Sequence, residues 1–343
     1  MPPASPQPPP AMLQQTPTAP DPASVMPRSL LDLVASVDNV PPDFESNCAP
    51  FYRLRLSPDP RTHGYVHPDT VARMPWPASF VVDHPGRAVT LSAPPAEPGT
   101  SPSAHASAAF QAAVDAALER GAFPATLNGM HSEHFLIPGA RGLVRVERFA
   151  ASLFGIATRG AHLTCYVRAA QQQQQQQQRL EVWVARRGRQ LLTYPGMLDS
   201  TVAGGVQAHH SPLECVLAEA AEEASLPRGL VADAVRSAGV VTLANRSART
   251  GLVHSEVLYV YDLELARHVV PRPQDGEVDE FVLMDCDQLV RRMLAGEFKP
   301  NVCPVMIDFL IRHGELTPEG VKDYVDLCAR LKRRLPVPTT SDG

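Results

Sequence analysis

The chain has 343 residues and a formal net charge of −5, with a sequence pI near 6.2. It contains no apolar run of about 18 residues and no basic stripe with interleaved aromatic residues, so the sequence argues against a membrane span and against a nucleic-acid partner. Six cysteines without CxxC spacing fit buried thiols in a reducing compartment better than a disulfide framework or a zinc site.

Residues 1–27 are rich in proline and poor in residues that can pack, which predicts a disordered tail. The start lacks the charged and apolar stretches of a secretory signal. No acidic residue precedes Asp21, as in a plastid address, but no basic residue precedes Arg28. We therefore expect a cytoplasmic protein, with the plastid stroma as the alternative.

Residues 28–155 predict a small α+β domain. Helical spacing begins at Ser29 and at Ala108, and Gly121 is a helix stop. The stretches "FYRLRL" and "GYVHP" predict extended chain between them. The segment "SAPPAEPGTSPSAHAS" from Ser92 predicts a surface loop.

Residues 156–335 alternate between strand-like and helical segments, which indicates a mixed sheet with helices on its faces. The strand-like segments are "AHLTCYVR", "LEVWVA", "GVVTLA", "SEVLYVYDL" and "EFVLMD". Helices are expected around Pro212, Gln288, Pro304 and Pro318, the last with Thr317 as its cap. The glutamine run 171–178 predicts an expanded hairpin loop, and residues 336–343 a disordered tail.

Three carboxylates lie within five positions on one predicted helix. Ser211, Pro212 and Glu214 form a capping-box pattern that begins the helix, and Glu219, Glu222 and Glu223 follow it. Such charge runs are usually a solvated helix face. However, like charges roughly 6 Å apart repel by about 3 kcal/mol at an effective dielectric near 20. A divalent cation removes this repulsion, and magnesium prefers carboxylate oxygens and water.

This arrangement resembles the Nudix box. Gly204 takes the first glycine of that pattern, Glu219, Glu222 and Glu223 take its metal-binding glutamates, and Leu226 takes the last aliphatic position. Three positions depart from it: His210 replaces the first Glu, Ala218 the Arg and Ser225 the last Gly. We interpret the Glu and Arg as a lost mutual ion pair, because both are missing together.

Further stretches resemble the thiamine pyrophosphokinase-related Nudix hydrolases over roughly residues 29–335. The stretches are "RVERFAASLFGI", "YPGMLDSTVAGG", "YVYDLEL", "DGEVDEF", "GEFKPN" and "IDFLIRHG". The resemblance implies an α/β Nudix fold, an α/β/α sandwich with a mixed sheet, preceded by a smaller α+β domain. It also implies a magnesium-dependent diphosphatase that converts thiamine diphosphate, preferentially its oxidised forms, to monophosphates, as in metabolite repair.

For the metal we expect Glu219 and Glu223 to bind Mg²⁺ directly, with Mn²⁺ as a substitute. Glu222 completes the ligand shell or takes the proton of the attacking water, and Glu219 is the competing base. Gly204 and Gly205 let the backbone approach the ligand. Outside the helix, Glu256 is the first candidate for an added carboxylate, and Glu277 and Glu280 come after it.

For the substrate we expect Arg186 and Arg187 to hold phosphate oxygens, although each could instead form only a salt bridge. Trp183, Tyr194 and Tyr259 are candidates for stacking on a ring, with a core position as the alternative. Among the histidines, His254 is expected to face the acidic helix. His131 and His134 are expected to be structural. His209 and His210 are expected to be an exposed loop pair, with a contact to phosphate or metal as the alternative.

Two classes of function remain open: a Nudix diphosphatase, or a catalytically weakened binding module that holds a diphosphate without turning it over. Retention of all three helix glutamates favours the enzyme. Isomerase chemistry on isoprenoid diphosphates rests on fold alone. The expected partner is a small-molecule diphosphate, and a homodimer is left open.

Overall fold

The computed structural model describes residues 29–94, 101–127, 133–168 and 180–340. The predicted proline-rich tail, the glutamine run and His131 lie outside these ranges. Across the described ranges, no helix combines the length and apolarity that crossing a bilayer requires.

The N-terminal region is built on a four-stranded sheet in the order β2-β1-β4-β3 and a two-stranded sheet of β5 and β6. The strands are β1 (Tyr52–Leu56), β2 (Asp59–Val66), β3 (Phe80–Asp83), β4 (Ala88–Leu91), β5 (His134–Leu136) and β6 (Arg145–Glu147). The helices are α1 (Leu30–Val37), α2 (Pro68–Arg73), α3 (Pro102–Glu119) and α4 (Ala151–Phe154). Phe110 and Phe154 are fully buried in the core between the larger sheet and α3.

The second region is built on a seven-stranded mixed sheet with the central order β11-β12-β7-β8-β13. Its strands are β7 (Ala157–Arg168), β8 (Leu180–Arg187), β9 (Leu198–Asp199), β10 (Val202–Gly205), β11 (Arg236–Arg246), β12 (Val253–Glu264) and β13 (Val278–Asp285). Strands β7 and β12 run parallel, whereas β10 pairs with β7 and β9 with β8 in antiparallel fashion.

Helices cover both faces of this sheet. They are α5 (Pro212–Ala224), α6 (Arg228–Ala234), α7 (Cys286–Leu294), α8 (Val302–Arg312) and α9 (Tyr324–Leu331). Alternate residues of β7 point to opposite faces: Leu163 packs under α5, whereas Tyr166 packs towards α8. The predicted α/β sandwich with a mixed sheet, preceded by an additional α+β region, is confirmed.

Two elements differ from the sequence prediction. Helix α3 begins at Pro102, inside the segment predicted to be a loop, because its alanine-rich start packs against the N-terminal core. The predicted helix at Pro318 is only a turn, in which Gly320 and Val321 both donate to the Thr317 carbonyl, and the last helix starts at Tyr324. Glycine so close to the predicted start costs a helix about 1 kcal/mol.

Each of the two regions also has a segment that packs against the other region. The apolar face of α1 packs on the second region, where Leu33 and Val34 join a core shared with α8 and α9. In return, the Tyr65 hydroxyl donates to the Pro336 carbonyl at 3.1 Å and Val337 is buried. Pro336 and Val337 are therefore buried, whereas Thr339 and Thr340 are exposed.

Candidate active site

Helix α5 begins as the capping-box pattern predicts. The Ser211 hydroxyl accepts a hydrogen bond from the Glu214 backbone N–H at 3.2 Å, and the Glu214 carboxylate accepts one from the Ser211 N–H at 2.7 Å. The apolar stripe of the helix, including Val216 and Ala220, is buried against the sheet. This start and this stripe turn the later glutamates towards the edge strand β10.

Strand β10 contacts two of those carboxylates and fixes their positions. A Cβ atom on Gly204 would lie 2.2 Å from Glu219 Oε1, so only glycine leaves room for this carboxylate. One residue earlier, the Ala203 backbone N–H donates to Glu223 Oε2 at 3.3 Å. The glycine pair and the acidic helix, which lie apart in the sequence, therefore form one unit.

The carboxyl groups of Glu219 and Glu223 are hard to ionise without a cation. Burial raises the pKa of Glu219 to about 7, and the negative charges of Glu222, Glu277 and Glu133 add to this effect. Burial also raises the pKa of Glu223 well above its ordinary value, assisted by the charges of Glu219 and Asp199. Without a cation, burial and mutual repulsion therefore favour the protonated, neutral forms of these two carboxyl groups.

These glutamates line a cavity of about 450 Å³, a size suited to small molecules. Glu222, which is exposed, lines it as well, and so do Glu256 from β12 and Glu277. Burial alone would raise the pKa of Glu256, but His254, Lys299 and Asn301 lower it below its ordinary value. The Asn301 side chain donates to Glu256 Oε1 at 3.3 Å.

The donor set fits a hard divalent cation. Oxygen ligands from Glu219 and Glu223, with room for water in the cavity, are what Mg²⁺ or Mn²⁺ accepts. A bound cation would offset the burial and the repulsion that raise both pKa values. Within the part of the chain that the structure describes, no three His, Cys, Asp or Glu side chains are already grouped as ligands. Water would therefore have to fill much of the coordination shell.

A buried carboxylate organises two of the cavity's cations. Asp199 accepts hydrogen bonds from Arg187 Nη1 at 3.0 Å and from Lys299 Nζ at 3.4 Å. Burial alone would raise the pKa of Asp199, but these cations and His162 lower it. Arg187 and Lys299 also line the cavity, so positive charge lies in the same cavity as the acidic helix.

His162 is fully enclosed and neutral. Burial lowers its pKa to about 4, and its Nδ1 lies 2.9 Å from the Ser200 hydroxyl.

The N-terminal region supplies one wall of the same cavity. Phe135, Arg148, Phe149 and Ser152 line it. The Arg148 guanidinium lies over both phenylalanine rings, 5.5 Å and 5.8 Å from their centroids, and pairs with Glu133 at 3.0 Å. We name Phe135, Arg148 and Phe149 the aromatic wall.

The aromatic wall is fixed to the second region by its backbone and by close packing. A Cβ atom on Gly205 would lie 2.5 Å from the Phe135 ring, and Phe135 forms a β-bridge with Gln207. The Ala208 N–H donates to the His134 carbonyl at 2.7 Å. Gly205 is therefore required by the contact between the regions, a role that the sequence pattern did not indicate.

Several predicted residues lie away from the cavity. Arg186 points to the other side of β8 from Arg187 and pairs with Glu280 at 2.6 Å. Trp183 and Tyr259 pack with the core under α5. Tyr194 is 46% exposed in the loop after β8, outside the lining, although its pKa is raised by burial and by the charge of Glu256.

Of the described histidines named in the sequence analysis, one lines the cavity and three do not. His254 lines the cavity and hydrogen-bonds Thr158, as expected for a residue that faces the acidic helix. His209 and His210 stack on each other in the turn before α5, outside the lining. His134 bonds Gln111 at 2.9 Å and is structural.

Ser225, where the pattern has glycine, keeps the left-handed conformation that glycine favours, with φ 54°. Its hydroxyl donates to the Arg272 carbonyl at 3.0 Å. This departure from the pattern therefore preserves the end of the acidic helix.

Sequence reasoning missed much of the lining. Lys299 and Asn301 stand in "GEFKPN", a stretch that contributed to the resemblance but was given no role. Arg148 and Phe149 stand in "RVERFAASLFGI", another stretch of the resemblance that was given no role, whereas Phe135 and Arg159 carry no local pattern that singles them out.

A second cavity of about 540 Å³ lies between Arg61, Tyr65 and the segment around Leu335. It gathers no cluster of carboxylates and lies away from the acidic helix, so we do not assign the chemistry to it.

Comparison with known proteins supports the resemblance. Residues 164–304 match the family model described as NUDIX domain. The uncharacterized protein YJR142W of Saccharomyces cerevisiae is 38% identical over 205 residues, which cover 57% of this chain and 58% of that protein. Nudix hydrolase 20, chloroplastic, of Arabidopsis thaliana is 38% identical over 190 residues, which cover 55% of this chain and 48% of that protein.

The chain thus spans about half the length of the curated relatives it matches. Among solved structures, DR0079 from Deinococcus radiodurans is similar at 20% identity with a TM-score of 0.37, covering 51% of this chain and 96% of that one.

Proposed function

We propose that the protein is a Nudix hydrolase acting on a phosphoric anhydride, and that its substrate is thiamine diphosphate or an oxidised form of it. The products are the monophosphate and phosphate. The observation that carries the proposal is the pair Glu219 and Glu223, which lie one helical turn apart in the same cavity as the cations Arg187 and Lys299 and whose raised pKa values a bound cation would lower. The match of residues 164–304 to the NUDIX domain supports the reaction class.

Diphosphate hydrolysis needs neutralised phosphate charge, a positioned water and an oriented leaving group. A magnesium or manganese ion held by Glu219 and Glu223 would supply positive charge to the diphosphate and make water more acidic. Glu256, kept ionised by Lys299, His254 and Asn301, is a further carboxylate for that ion.

The protein's own groups then perform the remaining work. The oxygen of a water molecule forms a bond to phosphorus while the bridging P–O bond breaks, and the proton of that water passes to Glu222, with Glu219 as the competing acceptor. Arg187 and Lys299, which line the same cavity, hold phosphate oxygens. Because Asp199 bonds both cations, their side chains are preorganised.

The thiamine assignment has two supports. The motifs outside the Nudix box resemble the thiamine pyrophosphokinase-related subfamily, and the aromatic wall offers Phe149 and Phe135 to a ring at the end of the cavity contributed by the N-terminal region. Phenylalanine rings stack favourably on the flat rings of a substrate.

For the compartment we keep the cytoplasm, with the plastid stroma as the alternative. The name of the Arabidopsis relative includes "chloroplastic", which supports the alternative.

The test is release of phosphate and monophosphate from thiamine diphosphate and its oxidised forms, with magnesium present or chelated. We expect magnesium-dependent turnover in the wild type and a loss of at least about 10²-fold in Glu223→Gln. Glu214→Gln on the same helix is the matched control, because glutamine also completes a capping box.

Ligand binding without turnover would instead favour the binding module. Release of phosphate from other diphosphates at a higher kcat/KM would keep the reaction class but overturn the thiamine assignment.

A further inference from the structure

Arg159 lies on β7 in the lining of the cavity, where the residue is half-buried. Its carbonyl accepts a hydrogen bond from the Val206 N–H at 2.9 Å. One guanidinium nitrogen, Nη2, makes a long hydrogen bond of 3.4 Å to the Gln207 carbonyl. The Nε atom is buried and has no hydrogen-bond partner among the described residues.

The charge of Arg159 also lacks a counterion in the described part of the chain. Three other cations of the cavity each have a carboxylate partner: Arg148 pairs with Glu133, and both Arg187 and Lys299 pair with Asp199. Arg159 forms no such pair among the described residues.

The described groups around Arg159 do not compensate for its missing counterion. Burial lowers the pKa of Arg159, and the neighbouring groups that oppose this effect, Tyr259 and Cys215, are not carboxylates. A half-buried charge without a partner is costly, and such costs concentrate at functional sites.

The chemistry that would satisfy Arg159 is an oxyanion. The planar guanidinium offers a fork of N–H donors that matches the oxygens of a phosphoryl group, and its Nε is free of protein partners in the described ranges. Arg187 and Lys299 line the same cavity, so an anion at Arg159 would have further positive charge in its surroundings.

We propose that Arg159 binds a phosphoryl oxygen, either of the substrate diphosphate or of the phosphate product. The identity of the ligand as a phosphoryl group rests on the proposed function. The placement of an anion site at Arg159 rests on its missing partners alone.

The experiment measures binding of inorganic phosphate and of inorganic diphosphate to the full-length chain in the presence of a metal chelator, by calorimetry and by the shift in melting temperature. Arg159→Gln removes the charge, and Arg159→Met keeps an apolar stem of similar length if glutamine prevents folding. Arg168→Gln is the matched control, because Arg168 lies on the same strand and pairs with Glu264 away from the cavity.

We expect both Arg159 variants to lose about 10-fold to 100-fold in anion affinity, the usual worth of a charged hydrogen bond. Arg168→Gln should bind as the wild type does. Without anion, the variants should melt no lower than the wild type, because an unpaired charge has been removed. A greater loss for diphosphate than for phosphate would assign the site to the substrate, and equal losses would assign it to the product.

Wild-type affinity in the Arg159 variants, or no anion binding by the wild type, would overturn the inference. So would a large drop in melting temperature without anion in both variants, since that indicates a structural role. Anion binding through Arg159 in a chain that does not hydrolyse thiamine diphosphate would leave the inference standing and remove only the proposed function.

Discussion

The Glu219 side chain fills the space that a side chain on Gly204 would need: a Cβ atom on Gly204 would lie 2.2 Å from Glu219 Oε1 and 2.6 Å from its Cδ and Cγ atoms. The obstructing atoms belong to the far end of a flexible side chain, so an added methyl group would displace the carboxylate and leave the backbone in place. The strand thereby determines where a helix residue presents its charge.

Gly204→Ala should therefore lower metal-dependent turnover strongly while the fold survives. A displacement of about 1 Å in a reacting group can cost roughly 10²-fold in rate, and we expect a loss of that order in kcat. Melting temperature and steady-state kinetics measured on the same preparation will check it.

Gly229→Ala is the control for this substitution. Gly229 lies in α6 with no atom within 4 Å of an added Cβ, so alanine should leave turnover unchanged and stabilise the helix by about 0.5–1 kcal/mol. Full activity in Gly204→Ala would show that Glu219 does not need its present position.

The raised pKa values of Glu219 and Glu223 predict a pH-dependent stability of the metal-free protein. In the unfolded chain these groups ionise near their ordinary value of 4.5, whereas in the folded chain the pKa of Glu219 is about 7 and that of Glu223 is also raised. Stability should be fully present below pH 4.5 and decrease as the pH rises through 7, by an amount on the order of 2 kcal/mol.

Urea denaturation at pH 5.5 and pH 8 in the presence of a chelator measures this slope. Glu223→Gln should be the more stable protein at pH 8, and added magnesium should restore stability to the wild type more than to the variant. Identical pH slopes for the two proteins would contradict the electrostatic account.

Replacement of Asp199 by asparagine should lower the stability of the fold strongly, although the chemical change is small. Asp199→Asn keeps the shape but leaves Arg187 and Lys299 without their shared carboxylate, and breaking a buried pair in this way costs about 3 kcal/mol or more. Chemical denaturation should show that loss. Glu280→Gln breaks the exposed pair with Arg186 and should cost less than about 1 kcal/mol. Equal losses in the two variants would mean that Asp199 does not organise these cations.

The acidic helix was predictable because its signals are local. The capping box, the apolar stripe and the spacing of Glu219 and Glu223 all operate within one helix, and the structure reproduces each of them. Strand segments with clear alternation, such as β8, were predictable for the same reason. The failed helix at Pro318 shows the limit, since a correct cap pattern was overridden by the residues that follow it.

The rest of the cavity was not predictable because it depends on contacts between distant segments. Phe135 meets Gly205 only after the two regions dock, and Asp199 meets Lys299 across 100 residues. Arg186 and Arg187 are adjacent in sequence, and only the pleat of β8 decides which of them faces the site. Such roles depend on the tertiary fold and leave no local pattern.

The aromatic wall gives the last prediction, that the N-terminal region recognises the ring of the substrate. Phe149 lines the cavity under the guanidinium of Arg148, so Phe149→Ala should raise the KM for thiamine diphosphate by about 5-fold to 10-fold, the usual worth of an aromatic contact. Methyl diphosphate, which has no ring, should be turned over equally by the variant and the wild type. Leu143→Ala is the control substitution, because Leu143 lies in the same region and is 64% exposed. It should leave the KM for both substrates unchanged. A point substitution is the sharper test than deletion of the region, because α1 and residues 336–340 join the two regions and deletion would expose their shared core. An equal loss on both substrates would mean that Phe149 supports the shape of the cavity and does not recognise the ring.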